Sequence, residues 1–356
     1  MPSIKKMCSH QTGLKVLIYF FQIFGLFTLG FDGKLRQLRP VASKTLSALI
    51  FYIVVPLDLI LCSSSILKSA YGRKTWISNF DGIMITIFRL ILLIAASIIS
   101  TIFLYRRRKI IEISKMVAQI CHYSISLNSD ADKPIRKALK QTSQLLMILT
   151  LSIIWITIEF CTDGSKMFCF YLLPTIFNFT IVYACILQYI SLILFTNQAF
   201  KVLNQILMKI ERVISTNTTE VQVIITSESN WAVEKVHELR KFHSQLYELS
   251  EKVSNFYSFP IFLCISNLFF SLLHTSYFII QIMITQEDVS LQRYMYNYIR
   301  ELLAIFFLFS LNASASSVIN RVSKVYITNI FVIFLKFIHL RIAYTYLYWI
   351  RPYLFY

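Results

Sequence analysis

Two stretches of the chain, Met167–Phe200 and Val253–Gln286, each run 34 residues without one Asp, Glu, Lys or Arg. Few environments accept such a run. In a bilayer every backbone N–H and C=O must be satisfied inside the chain, so the spanning structure is a helix or a closed barrel. Barrel strands need about ten residues of strict alternation. These runs are longer and apolar on every side, which indicates helices. Composition agrees, with 56% hydrophobic and 15% charged residues and a mean hydropathy of +0.61, against roughly 25% charge in soluble domains.

A span needs about 20 apolar residues. The first is expected at Thr45–Leu67, the second at Gly82–Tyr105, the third at Gln141–Cys161 and the sixth at Leu302–Asn320. The fourth and fifth lie within the two long runs, whose excess length should project from the membrane. The seventh, Val325–Ile350, is interrupted by Lys336 and Arg341, each of which opposes insertion by about 2.5–3.5 kcal/mol at a helix centre. Leu14–Leu29 is broken by Lys15, Gln22 and glycines and reads as an interfacial or re-entrant segment. The first span is expected to act as the membrane signal, since no cleavage site follows the polar, basic N-terminal stretch.

The net charge of +17 invites a nucleic-acid reading. The basic residues, however, fall between the spans and on one side of them: 25 Lys and Arg lie on the side of the N-terminus and six on the other. This is the positive-inside pattern. The expected fold is therefore an all-α membrane protein of seven spans with a cytoplasmic N-terminus, inverted relative to G-protein-coupled receptors. The expected layout is a cytoplasmic N-terminal part over 1–44, spans one to four over 45–196, a cytoplasmic loop over 197–258 and spans five to seven over 259–356. With this topology Asn217 of the Asn217-Thr218-Thr219 sequon faces the cytosol and is not glycosylated.

Within the long loop, Val236, Leu239, Phe242, Leu246, Leu249, Val253 and Phe256 recur every three or four residues, close to a heptad seam. Glu248 and Lys252 form an i,i+4 pair beside it. The stripe predicts a helix running from the cytosol into the fifth span, covered by the extended fourth helix or by another subunit. Ser215–Asn230, rich in Thr and Ser, reads as a flexible connection.

Ionisable groups inside spans are functional candidates. Asp58 follows Pro56 in the first span and is either a ligand or ion contact or a polar group satisfied by its neighbours. Glu159 closes the third span and could face a ligand vestibule. Arg89 can snorkel from the second span. His274 in the fifth span reads as a packed, hydrogen-bonded histidine, since no metal-ligand partner sits at i+3 or i+4. The seven cysteines show no metal spacing; Cys161 and Cys169 flank a short loop that a disulfide could close. No catalytic motif or phosphate loop is present, so neither catalysis nor a cofactor or metal is expected. Aromatic residues are dense at the outer ends of the spans, among them Tyr171, Phe177 and Tyr277. Interface belts explain such rings, and so does a pocket for small organic molecules.

The segment Leu239-Arg240-Lys241-Phe242-His243-Ser244-Gln245-Leu246, followed by Val253-Ser254-Asn255-Phe256 and an apolar run, resembles the insect gustatory receptor family. Phe21-Gln22-Ile23-Phe24-Gly25-Leu26-Phe27 resembles the end of that family's N-terminal segment. The resemblance implies a ligand-gated, non-selective cation channel that detects small-molecule tastants. It implies a homo- or hetero-tetramer in the plasma membrane of a sensory neuron, with a pore built from the seventh helices. Thr345-Tyr346 matches the start of the family's pore-helix motif, but Pro352-Tyr353 stands where Gln-Phe belongs. Phe337–Thr345 also resembles the stretch that precedes the seventh helix, which would make the chain a truncated, non-conducting member; both alignments stand. Two other classes were weighed. A heptahelical receptor signalling through G proteins requires the opposite orientation, and a transporter calls for internal repeats with paired broken helices, which are not seen.

Overall fold

The computed structural model describes residues 21, 29–32, 37–40, 56, 60, 76–127, 132–162, 168–217, 225–285 and 298–317. Six helices dominate them: α1 Trp76–Tyr105, α2 Arg107–Leu127, α3 Asp132–Thr162, α4 Phe168–Asn217, α5 Ile225–Thr285 and α6 Tyr298–Ser317. One short antiparallel hairpin, β1 Leu29–Asp32 with β2 Gln37–Pro40, joins Leu29 to Pro40 and Asp32 to Gln37. The expected first and seventh spans, and with them Asp58, Thr345 and Tyr346, lie outside the described residues.

Helix α4 is central. Ile181, Val182, Ala184, Cys185, Ile186, Leu187 and Ile190 are all buried, so it is covered around its whole circumference, as expected of a helix with no polar face. Helices α1, α3 and α5 pack against it. α5 carries the opposite signature. Its lower part is seamed and its upper part exposes Phe262, Phe269 and Leu273, side chains that suit a lipid-facing surface. Four described segments are long and apolar enough to cross a bilayer: Thr86–Tyr105, Ile176–Lys209, His237–Ile280 and Tyr298–Ser317. α3 carries the apolar run Gln141–Cys161.

The extensions beyond the bilayer are long. α4 has 50 residues and α5 has 61, or about 75 and 90 Å at 1.5 Å per residue, against a hydrocarbon core of about 30 Å. They also take up most of the polar connection expected at Ser215–Asn230: α4 reaches Asn217 and α5 begins at Ile225. Adding residues to an existing packed helix is far easier than nucleating one, so Thr and Ser prolong these stems rather than break them.

The α5 seam is buried inside a single chain. Leu239, Phe242, Leu246, Leu249, Val253 and Phe256 are each 5% exposed or less; Val236 lies in the same helix. α2 forms one wall, with Tyr123 against Phe242 at 5.3 Å between ring centroids and the Tyr123 hydroxyl donating to the Glu238 carbonyl at 3.3 Å. α1 contributes Phe103, edge-on to both Phe256 and Tyr257 at 5.1 and 5.9 Å. α4 contributes Phe200 and Tyr189, against His243 and Tyr257. Lys252 pairs with Glu248 one turn away at 2.8 Å and with Glu112 of α2. α1 and α2 join with almost no break, because the Arg106 N–H donates to Ile102 and the Lys109 N–H to Arg106.

Candidate functional site

At the opposite end of the bundle the packing changes character. Phe88 of α1 lies 18 residues, about 27 Å, from Arg106, so it sits roughly one hydrocarbon thickness from the basic run Arg106–Lys109. Here Arg300 of α6 is only 6% exposed. Its Nη2 donates to Thr275 Oγ1 at 2.7 Å and lies 2.8 Å from His274 Nδ1. Its guanidinium sits over the Phe88 ring, 4.8 Å from the centroid, and Phe88 in turn stacks on His274 at 5.0 Å. Beside them Ser276 donates to Glu301 at 3.4 Å. Three helices therefore meet through one guanidinium. Arginine suits this position, since its planar, delocalised charge both stacks and donates in several directions.

Hydroxyls in the spans mostly satisfy themselves. Thr180, Ser191, Thr196 and Thr275 each donate to the carbonyl one turn back, the usual resort of Ser and Thr in membrane helices. Two side chains below Arg300 depart from this. Ser271 and Asn267 are 3% exposed, and Ser271 Oγ and Asn267 Nδ2 have no hydrogen-bond partner among the described residues. They lie one and two turns from Thr275 on the same side of α5. Leaving such a group unpaired in a buried site opposes folding by about 1–3 kcal/mol, so orphaned donors in a native core call for an explanation. Across the interior, Tyr183 of α4 is fully buried between Phe179 at 4.2 Å and Phe307 of α6 at 5.0 Å. At the inner end of α6, Asn197 Nδ2 donates to Ser317 Oγ at 2.7 Å, fastening that end to α4.

The residues singled out in the sequence divide between the two ends. Phe177 and Tyr277 are half-buried at the Arg300 end, on α4 and α5. Glu159 and Tyr171 lie in α3 and α4, close to the short link between those helices. Asp58, Thr345 and Tyr346 fall outside the described residues, and the Val236–Phe256 stripe belongs to the other end. His274, read as a hydrogen-bonded histidine, is one, and its partner is Arg300. That partner was missed because Arg300 counts, in sequence, as a loop charge preceding the sixth apolar run. The helix already includes Tyr298, ahead of the apolar run counted from Leu302, and the Arg300 side chain is drawn inward. Phe88, Asn267, Ser271 and Thr275 were also missed. The available signal was a polar file, Asn267, Ser271 and Thr275, at i, i+4 and i+8 inside an otherwise apolar run. Among the described residues no group of His, Cys, Asp and Glu could hold a metal ion.

Compared with known proteins, no curated protein matches the chain. The solved structure of the insect olfactory receptor OR5 from Machilis hrabei is similar, with a TM-score of 0.59 at 13% sequence identity, over 87% of this chain and 80% of that one. At that identity the likeness is one of fold, and the fold is the seven-helix membrane fold expected from the apolar runs. The family model for the seven-transmembrane chemosensory receptors matches residues 14–350, which includes both long uncharged runs, the seam of α5 and the whole of the Arg300 cluster. The chain is a multi-pass membrane protein and belongs to the seven-transmembrane chemosensory receptor family.

Proposed function

We propose that the chain is a subunit of a ligand-gated, non-selective cation channel of the gustatory branch, opened by a small-molecule tastant that enters from outside the cell. The observation that carries this reading is the Leu239–Phe256 stretch, whose gustatory-type pattern coincides with the seam that closes α5 on α1, α2 and α4. Supporting it are the excess of Lys and Arg on the N-terminal side, which orients the Arg300 end outward, and the buried polar groups gathered at that end. Tastant contacts then come from the outer half of the bundle, with Asp58, Glu159, Tyr171, Phe177 and Tyr277 around its mouth. Residues 197–258 form the cytoplasmic anchor of a homo- or hetero-tetramer in the plasma membrane of a sensory neuron. On this reading Val325–Ile350 is the pore helix, with Thr345 and Tyr346 on it.

The experiment is a glycosylation acceptor tag after Tyr356, scored by a glycosidase-sensitive mobility shift, together with current recordings from cells expressing the chain. A shift and a tastant-evoked cation current are expected. An inserted chain whose tag stays unmodified, and which passes no current alone or with related receptors, would overturn the channel reading.

A further inference from the structure

The inner end of α1 carries a charge pattern that neither the seam nor the Arg300 cluster uses. Its apolar run stops at Tyr105, and the next four residues are Arg106, Arg107, Arg108 and Lys109. They are not strung along a loop. The Arg106 and Lys109 N–H groups carry the hydrogen bonding of α1 on into α2, so four cations stand within about 5 Å of axial rise. Ile110 and Ile113 are buried and turn their side of α2 inward. Arg106, Arg108 and Lys109 are left exposed, and Arg107 is half-buried. Just above them lies an exposed apolar stripe on α1. Ile87, Ile94 and Tyr105 are seven and eleven residues apart, hence on one side of the helix, and are 46%, 49% and 89% exposed. Tyrosine at the foot of such a stripe is typical of a membrane–water boundary. The carboxylates of this level are engaged elsewhere. Glu112 is the only acidic residue of α2 and lies four residues from Arg108, yet its ion-pair partner is Lys252 of α5, which also holds Glu248. Among the described residues Arg106, Arg108 and Lys109 have no carboxylate partner. Topology alone does not call for this arrangement, since the positive-inside rule counts cations anywhere within about 15–20 residues of a span.

We propose that the α1–α2 joint is a binding site for anionic phospholipids of the cytoplasmic leaflet, with the headgroup phosphates taken by Arg106, Arg108 and Lys109 and the acyl chains laid along the Ile87–Ile94–Tyr105 stripe. Charge and position both select this partner. Clusters of four or more Lys and Arg immediately cytoplasmic of a span attract the anionic lipids of that leaflet. Guanidinium forks match phosphate oxygens two at a time, and two of the three exposed cations are Arg. A headgroup with several phosphates is therefore preferred to one with a single negative charge. The site is helical before the lipid arrives, so little ordering of the backbone opposes binding. It needs only the second span and its inner end, and it stands whether or not the chain conducts ions.

The test uses the full chain purified in detergent, with bound lipids counted by native mass spectrometry. The lipids added are phosphatidylcholine, phosphatidylserine and phosphatidylinositol 4,5-bisphosphate. The expected order of affinity is the bisphosphate, then phosphatidylserine, then phosphatidylcholine, with at least about tenfold between the two ends. Arg106→Gln, Arg108→Gln and Lys109→Gln together should bring the bisphosphate down to the level of phosphatidylcholine without moving the melting temperature. Lys209→Gln, Arg240→Gln and Lys241→Gln remove as many exposed charges from the stems of α4 and α5 and should leave the preference intact. Inositol 1,4,5-trisphosphate, a soluble headgroup without acyl chains, should compete at least about tenfold more weakly than the lipid. Should the first triple variant not fold, Arg108→Gln alone should lower affinity for the bisphosphate about fivefold. Equal binding of the three lipids would overturn the proposal. So would an unchanged preference in the triple variant or in Arg108→Gln, or an equal loss in the stem variant. Competition by the soluble trisphosphate as strong as that of the lipid would assign the cations to free phosphates and overturn the membrane partner.

Discussion

The two halves of α5 are built on opposite rules. From Leu239 to Tyr257 its inward side is apolar, with aromatic rings meeting edge to face, and the charges of Glu112, Glu248 and Lys252 stay at the rim. From Asn267 to Ser276 the inward side is polar and a guanidinium is buried. The contrast separates an apolar half, closed by aromatic packing, from a half closed by polar and charged contacts.

Five substitutions press on that contrast, in decreasing order of effect. Phe242→Ala or Phe256→Ala empties a fully buried position in the seam and should lower stability by about 3–5 kcal/mol, seen as a lower melting temperature and a smaller monodisperse peak in detergent. Arg300→Leu strips His274 and Thr275 of their shared partner and should destabilise by about 1–3 kcal/mol, measured in the same assay. Asn267→Leu should be neutral or slightly stabilising, since it removes a donor with no partner among the described residues; a loss as large as that of Phe242→Ala would dissolve the distinction between the halves. Lys252→Ala should leave the melting temperature within experimental scatter in high salt, where surface pairs are screened.

Much of this was legible before any coordinates. The uncharged, apolar runs indicated where spans could lie, since stretches this long and this apolar suit a bilayer. The three- and four-residue spacing of Leu239 to Phe256 announced the seam, because that spacing has one physical meaning in a helix. The seam's partner was not legible: periodicity says that a face is covered, not whether α2 and α4 of the same chain or another subunit covers it. Arg300 was misplaced for a related reason. Charge counting ignores helix geometry, and a helix that already includes Tyr298, ahead of Leu302, turns a loop cation into a buried one. Asn267 and Ser271 carried the faintest signal, two small polar residues in an apolar sequence. Their burial is a property of three dimensions.

One further consequence follows from the continuity of α5. Some 61 residues form a single rod that reaches from the cytoplasmic seam to the Arg300 cluster. Along it, Pro260 is the one interior residue without an N–H, so the rung that would end on the Phe256 carbonyl is absent. Pro260 lies 14 residues, about 21 Å, below His274, immediately above the last residues of the seam. A rod clamped at its base and missing one rung just above the clamp bends there more readily than elsewhere. Its free end is then a pointer: a small change of angle at Pro260 becomes a displacement of His274 and Thr275 greater than the length of a hydrogen bond, and the same lever works in reverse.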